Sequence, residues 1–209
     1  LRNKTSLSLK DLKEVHTQKI HLLLIDSALN DYQHIHPEQD NQNDGFVFTF
    51  TPKSADSYQM WVDVTPSDSN QQQFLVATIG KQNNKSMVKE ISSLNASVGA
   101  YEFTLKPENE LKATHEVMVT LAVKKNGMPF DQLEPVMGAY AHLVGFPIDR
   151  KSVVHIHPMG TEPTQASDRG GPELMFHLAL KQAGYVKLFA QFRIDGKDVY
   201  VPFGFVVSP

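Results

Sequence analysis

The sequence predicts an all-β protein of two related antiparallel β-sandwich units, immunoglobulin-like in kind and arising from an internal repeat. Three observations predict it. A histidine pattern occurs twice: His21 is followed thirteen residues later by His34-Ile35-His36-Pro37, and His142 thirteen residues later by His155-Ile156-His157-Pro158. The surrounding positions repeat too. Leu12/Leu133, Val15/Val136, His21/His142, Leu22/Leu143, His34/His155, His36/His157 and Pro37/Pro158 agree at an offset of 121. Downstream, Phe48 and Phe50 align with Phe176 and Leu178, Trp61 with Phe189 and Val64 with Phe192, now at an offset of 128. Finally, short apolar runs alternate with Gly, Pro, Asn and Asp turns at a spacing of roughly ten residues, as in a sandwich of short strands.

The elements follow in chain order. Residues 9–14 give the best candidate for a short helical turn. Residues 19–25 form a strand of mostly apolar residues, and Asp26, Ser27, Ala28, Leu29, Asn30 and Asp31 supply the polar turn that folds the chain back. Residues 46–50 alternate large apolar and smaller side chains, residues 58–64 do so less strictly, and residues 74–79 are a short run of buried type. In the second half, residues 101–105, 116–123, 174–180, 185–194 and 199–207 carry the same strand signals, and residues 146–151, with Pro147 and Asp149, form the turn between the strands of His142 and His155. The seven extra residues behind the change of offset lie in 159–172, where Gly160, Pro163, Gly170, Gly171 and Pro172 mark a surface loop.

Residues 1–81 are expected to be the first sandwich unit, residues 82–97, rich in Asn, Ser and Lys, the linker, and residues 98–209 the second unit. The second unit has about 35 residues ahead of its repeated block, whereas the first has about eleven before Leu12. The first unit should therefore lack leading strands and be smaller. At 209 residues, both units are long enough to bury a core.

Composition excludes several function classes. With 20 basic and 23 acidic residues the formal charge is −3 and no basic run stands out, so nucleic-acid binding has little electrostatic support. No apolar run reaches the roughly 18 residues a membrane-spanning helix needs. Cysteine is absent, which removes disulfides, thiolate metal ligands and cysteine nucleophiles together. It also suits an exported protein, and a start at Leu1 rather than Met is expected of a processed chain. No Gly-x-Ser-x-Gly elbow, phosphate-cradling glycine loop or His-Glu-x-x-His helix occurs.

A strand sends residues i and i+2 to the same face, so each His-Ile-His segment aims two imidazoles to one side. An antiparallel hairpin then folds His21 back to roughly face His34, and His142 to face His155, gathering three imidazoles in each unit. The alternative is structural: histidines bonded to backbone carbonyls, with Pro37 and Pro158 ending strands. His115 opens a strand as a surface residue. His177 becomes a ligand only if residues 159–172 fold over it. Trp61, Tyr185 and Phe189 are expected in the interior.

Two blocks carry a family resemblance. The first is Val15-His16-Thr17-Gln18-Lys19-Ile20-His21-Leu22 with His34-Ile35-His36-Pro37-Glu38; the second is Leu133-Glu134-Pro135-Val136-Met137-Gly138-Ala139-Tyr140-Ala141-His142-Leu143-Val144 with His155-Ile156-His157-Pro158-Met159-Gly160. They resemble bacterial periplasmic or secreted β-sandwich proteins associated with heavy metals, copper in particular. Position by position, the resemblance implicates His16, His21, His34 and His36 in the first block, and Glu134, His142, His155 and His157 in the second. Met137 stands where the first block has His16, so the two sites should differ in softness.

Imidazole suits copper and zinc, and among divalent ions Cu(II) binds such donors most tightly. The expected ion is copper, with zinc the alternative; Met137 and Met159 offer thioethers that would hold Cu(I) in the second unit. Glu134 either orients His142 through its unligated nitrogen or caps backbone donors in a turn. The expected role is metal sequestration, transport or resistance in the periplasm or outside the cell, with the metal ion as partner and a metal-delivery or outer-envelope protein as a further one. Because the ligating nitrogens must be deprotonated, metal should be released as the pH falls through about 6. Two rivals remain open. One is a cupin-like metal-dependent enzyme using His155, His157 and Glu162, although the glycine six residues before His155 is missing and Glu38 comes too early in the first copy. The other is a protein-interaction module with structural histidines.

Overall fold

The computed structural model describes residues 8–15, 17–40, 45–81 and 87–209. Its regular structure is antiparallel β throughout, with one 3-10 turn, Leu9–Asp11, at the site of the expected helical turn. The chain divides into two compact units, Leu1–Val88 and Lys89–Pro209.

The first unit holds β1 (Ile20–Asp26), β2 (Tyr32–Ile35), β3 (Glu38–Asp40), β4 (Gly45–Val47), β5 (Tyr58–Val64) and β6 (Gln73–Ile79). Four of them form one sheet in the order β2-β1-β5-β6, while β3 and β4 pair as a separate ribbon. Central strand β1, Ile20-His21-Leu22-Leu23-Leu24-Ile25-Asp26, is buried along its whole length, so its apolar residues do not alternate with polar ones. Ile20, Leu22 and Leu24 pack with Leu12, Tyr58 and Val64 in one cluster, covered by Leu9, Phe48 and Phe50. His21 points to the other face, with Leu23 and Ile25. Among the described residues the first unit has no second full sheet. The sequence expectation of a strand over 46–50 holds only for Gly45–Val47, because Phe48 and Phe50 leave the ladder to cap the core.

The turn between β1 and β2 is built by its aspartates. Asp26 Oδ1 accepts the backbone N–H groups of Asn30 and Asp31 at 2.7 and 3.0 Å. Buried Asp31 in turn accepts the Tyr58 hydroxyl and the Lys53 N–H, while Tyr58 Oη accepts the Lys53 and Ser54 N–H groups. Burial, then the bond to Asp31, pushes the Tyr58 phenol up to about 12. A raised folded value means that the folded chain holds this proton more tightly than the unfolded one. The resulting stability is fully present below the ordinary tyrosine value of about 10 and is lost as the pH rises through about 12. Tyr58→Phe should cost about 1–3 kcal/mol at neutral pH by leaving buried Asp31 short of a donor, and should flatten the alkaline limb of stability, as read by thermal melts from pH 8 to 12.

The second unit is a two-sheet sandwich. Its strands are β7 (Asn95–Val98), β8 (Tyr101–Pro107), β9 (Glu116–Lys125), β10 (Met128–Pro129), β11 (His142–Pro147), β12 (Val154–Ile156), β13 (Glu173–Ala179), β14 (Gly184–Ile194) and β15 (Lys197–Val207). One sheet runs β10-β9-β8-β7 with β13 also on β9; the other runs β12-β11-β14-β15. Alternate residues of both sheets meet in a single core: Phe103, Leu105, Val119, Leu121, Phe176 and Leu178 from the first, with Leu143, Leu188, Phe192, Val201, Phe203 and Phe205 from the second. Each such side chain contributes roughly 1.5–3 kcal/mol on burial. Asn126-Gly127 and Asp195-Gly196 close the β9–β10 and β14–β15 hairpins, all four residues having the positive φ of a type I′ turn. Residues 95–97, expected in the linker, are part of β7 and pair with β8.

Candidate metal centre

Each triad rests on the same three-strand platform. In the first unit β1 is flanked by β2 and β5; in the second, β11 is flanked by β12 and β14. The sequence places His21 across from His34, but Leu23 takes that place and Leu22 pairs with Ile35, so the register brings His36 level with His21. The second unit matches, with Val144 across from His155 and Leu143 across from Ile156. This two-residue difference leaves every imidazole on its expected face because the side-chain period of a strand is two. The triad is therefore a cross-strand pair with a diagonal neighbour.

In the first unit, His34 Nε2 and His36 Nε2 each lie 3.1 Å from His21 Nδ1. In the second, the ring centroids of His142, His155 and His157 are 4.7–5.7 Å apart. In both triads one potential ligand atom per residue lies within 4.8 Å of the others. Three nitrogens bound to one ion at about 2.0–2.1 Å, with angles of about 90–120°, would stand about 2.9–3.5 Å from one another. The 3.1 Å separations of the first triad match that spacing.

The central histidine of each triad is held by a backbone carbonyl. His21 Nε2 lies 3.0 Å from the Val15 carbonyl oxygen, and His142 Nε2 lies 2.9 Å from that of Val136. A carbonyl only accepts, so Nε2 carries the hydrogen, and in the neutral ring Nδ1 keeps its lone pair for the space between the imidazoles. A metal-ligating histidine characteristically uses its second nitrogen in this way. The valine carbonyls are themselves fixed: Val15 exchanges two backbone hydrogen bonds with Gln18, and Val136 exchanges two with Ala139. These tight turns need positive φ at Thr17 in the first unit and at Met137 and Gly138 in the second. His21 is 4 % exposed, His142 0 % and His155 7 %, whereas His34, His36 and His157 are half-buried. The three converging nitrogens of the second triad, His142 Nδ1, His155 Nε2 and His157 Nε2, are shielded from solvent.

The secondary candidates take other places. Glu134 has the second of its two expected roles: its Oε1 accepts the Gly196 N–H at 2.9 Å, bracing the β14–β15 turn, and Val136 rather than Glu134 orients His142. Met137 is half-buried in the Val136 turn, and Met159 is exposed, its N–H donating to the Met175 carbonyl. His16 lies outside the described residues. His115 is exposed and contacts the Ala113 carbonyl; His177 is exposed beside Glu116 at 3.4 Å. Glu162 is exposed and joins neither group of potential ligands among the described residues, so the third partner of His155 and His157 is His142.

Sequence reasoning missed two features. The Val15 and Val136 carbonyls are invisible to side-chain patterns, although their agreement at the offset of 121 marked the positions. Residues Asp63 and Gln191, paired across the ladder with His21 and His142, are buried at 4 % and 2 %.

A family described as Domain of unknown function (DUF8832) matches residues 2–80 and 96–209, which include both triads and both valine turns. The chain belongs to the DUF8832 family. No curated protein matches it. The DUF8832 match takes in both repeats. No helix among the described residues of this DUF8832 protein is long and apolar enough to cross a membrane.

Proposed function

We propose that the protein binds copper through His21, His34 and His36 and through His142, His155 and His157, acting in metal sequestration, transport or resistance outside the cytoplasm. The observation that carries this is the carbonyl-held central histidine, repeated in both units, whose remaining lone pair faces two more imidazoles. Structural histidines need no such arrangement twice. All-imidazole donors place Cu(II) above Zn(II) in affinity, and Met137 and Met159 are soft donors close in sequence to the second triad. Export is supported by the absence of cysteine and by the resemblance to periplasmic and secreted copper-associated proteins. A metal-delivery or outer-envelope protein is the natural partner for such a carrier.

The test is stoichiometry. Untagged protein, stripped with chelator and titrated with copper in air and under a mild reductant, should bind two equivalents. His34→Ala/His36→Ala and His155→Ala/His157→Ala should bind one each, and the fourfold variant none. Unchanged copper content in the fourfold variant, with far-UV circular dichroism intact, would move the site elsewhere.

A further inference from the structure

The two triads are built alike but do not have the same charge beside them. In the first unit Asp63 pairs with His21 across the ladder, and Phe74 pairs with Asp63. In the second unit the same two places are held by Gln191 and Tyr200. Two residues before Phe74 is Gln72, whose Nε2 donates to Asp63 Oδ2 at 2.8 Å. Two residues before Tyr200 is Asp198, whose Oδ2 accepts from Gln191 Nε2 at 3.2 Å. Carboxylate and amide have exchanged places. The hydrogen-bonded pair is kept in both units, but only in the first is its negative charge on the strand next to the central histidine.

In the second unit the carboxylate is also engaged elsewhere, because Asp198 lies 3.4 Å from Arg193 Nη1. Directly opposed residues on paired strands have Cβ atoms about 4.5–5.5 Å apart and point to the same face, so Asp63 is the cross-strand neighbour of His21. Three neutral imidazoles supply no charge to a bound cation. A dication beside Asp63 leaves a net charge of about +1, and a monocation beside neutral Gln191 leaves the same, whereas a dication beside Gln191 would leave about +2 in a buried place.

We infer that the two sites divide the oxidation states: the first triad, with Asp63 beside it, is selective for a divalent ion, and the second, with Gln191, for a monovalent one. Asp63 and Gln191 are then positioning residues that set selectivity without being ligands. This rests on the metal-binding reading of the triads and adds which charge each prefers.

Zn(II) and the air-stable monovalent Ag(I) separate the two properties by calorimetric titration. His155→Ala/His157→Ala leaves the first triad alone to report, and His34→Ala/His36→Ala leaves the second. The ratio of Zn(II) to Ag(I) affinity should be about tenfold higher for the first. Asp63→Asn in the first background should weaken Zn(II) about 100-fold and Ag(I) about tenfold, since the Coulomb attraction scales with the ion's charge. Gln191→Glu in the second background should strengthen Zn(II) by a similar factor. If Asp63→Asn proves unfolded by circular dichroism, Gln191→Glu decides. Equal affinity ratios at the two sites, unmoved by either substitution, would overturn the division while leaving metal binding in place. Binding of neither ion to either background would instead overturn the metal reading itself.

Discussion

On the proposed function, replacing His142 by alanine should lower copper stoichiometry from two to one and weaken the second site by at least about 100-fold. The expectation follows from the position of the ring. His142 is fully buried, its Nε2 is fixed by the Val136 carbonyl at 2.9 Å, and its Nδ1 is one of the three shielded nitrogens of the triad. Partners that only orient a ligand are already worth about 10–100-fold in metal affinity, and loss of a ligand exceeds that. The same substitution leaves the Val136 carbonyl without its imidazole donor and opens a small cavity in the sheet, so a stability cost of about 1–3 kcal/mol accompanies it. Two readouts separate the effects. A saturating metal should raise the wild-type melting temperature by several degrees, because ligand at 100 times its Kd adds about 2.7 kcal/mol; in His142→Ala the part of this shift due to the second site should vanish. Retention of two tight equivalents would show that His142 is structural.

Gly204→Ala should destabilise the second unit by about 3 kcal/mol, lowering its melting temperature by roughly 10 °C. Gly204 lies in β15 opposite Lys187 and exchanges two backbone hydrogen bonds with Ser93, which lays the chain segment of residues 91–94 along the sheet edge. A Cβ at this position would overlap the Ile91 carbonyl oxygen and the Tyr185 hydroxyl. Those two groups are themselves joined by a hydrogen bond of 3.1 Å, so neither yields without breaking it. Backbone rather than a flexible side chain is what the methyl meets, and the strand edge has to open. Gly45→Ala is the control. Among the described residues nothing lies within 4 Å of the place its methyl group would take, and its φ is not positive, so the change should stay within about 0.5 kcal/mol. Equal melting temperatures for the two variants would refute the packing account.

Much of this was legible because the repeat writes the same chemistry twice. The His-x-His-Pro segments, the strands of residues 19–25, 58–64 and 185–194, and the two triads all follow from periodicity and turn residues. Strand pairing was legible only to within two residues: the turn of Asp26 and Asp31 is held by side-chain bonds to its own backbone, which moves His36 level with His21. That difference costs the site nothing, whereas a shift of one residue would have scattered the rings. Glu134 was ambiguous in sequence because one carboxylate can orient an imidazole or cap a turn, and only the fold brings Gly196 to it. The carbonyls of Val15 and Val136 carry no side-chain signature at all. Nor does the exchange of Asp63 and Gln72 for Gln191 and Asp198, which becomes visible only when two strands are set side by side.

Whether three imidazole nitrogens in each unit share one ion can be read from X-ray absorption of protein loaded with two equivalents of copper. The spectrum should show a first shell of about three nitrogen donors near 2.0 Å with the outer-shell scattering of imidazole rings. A shell of oxygen donors without that imidazole signature would contradict the shared site.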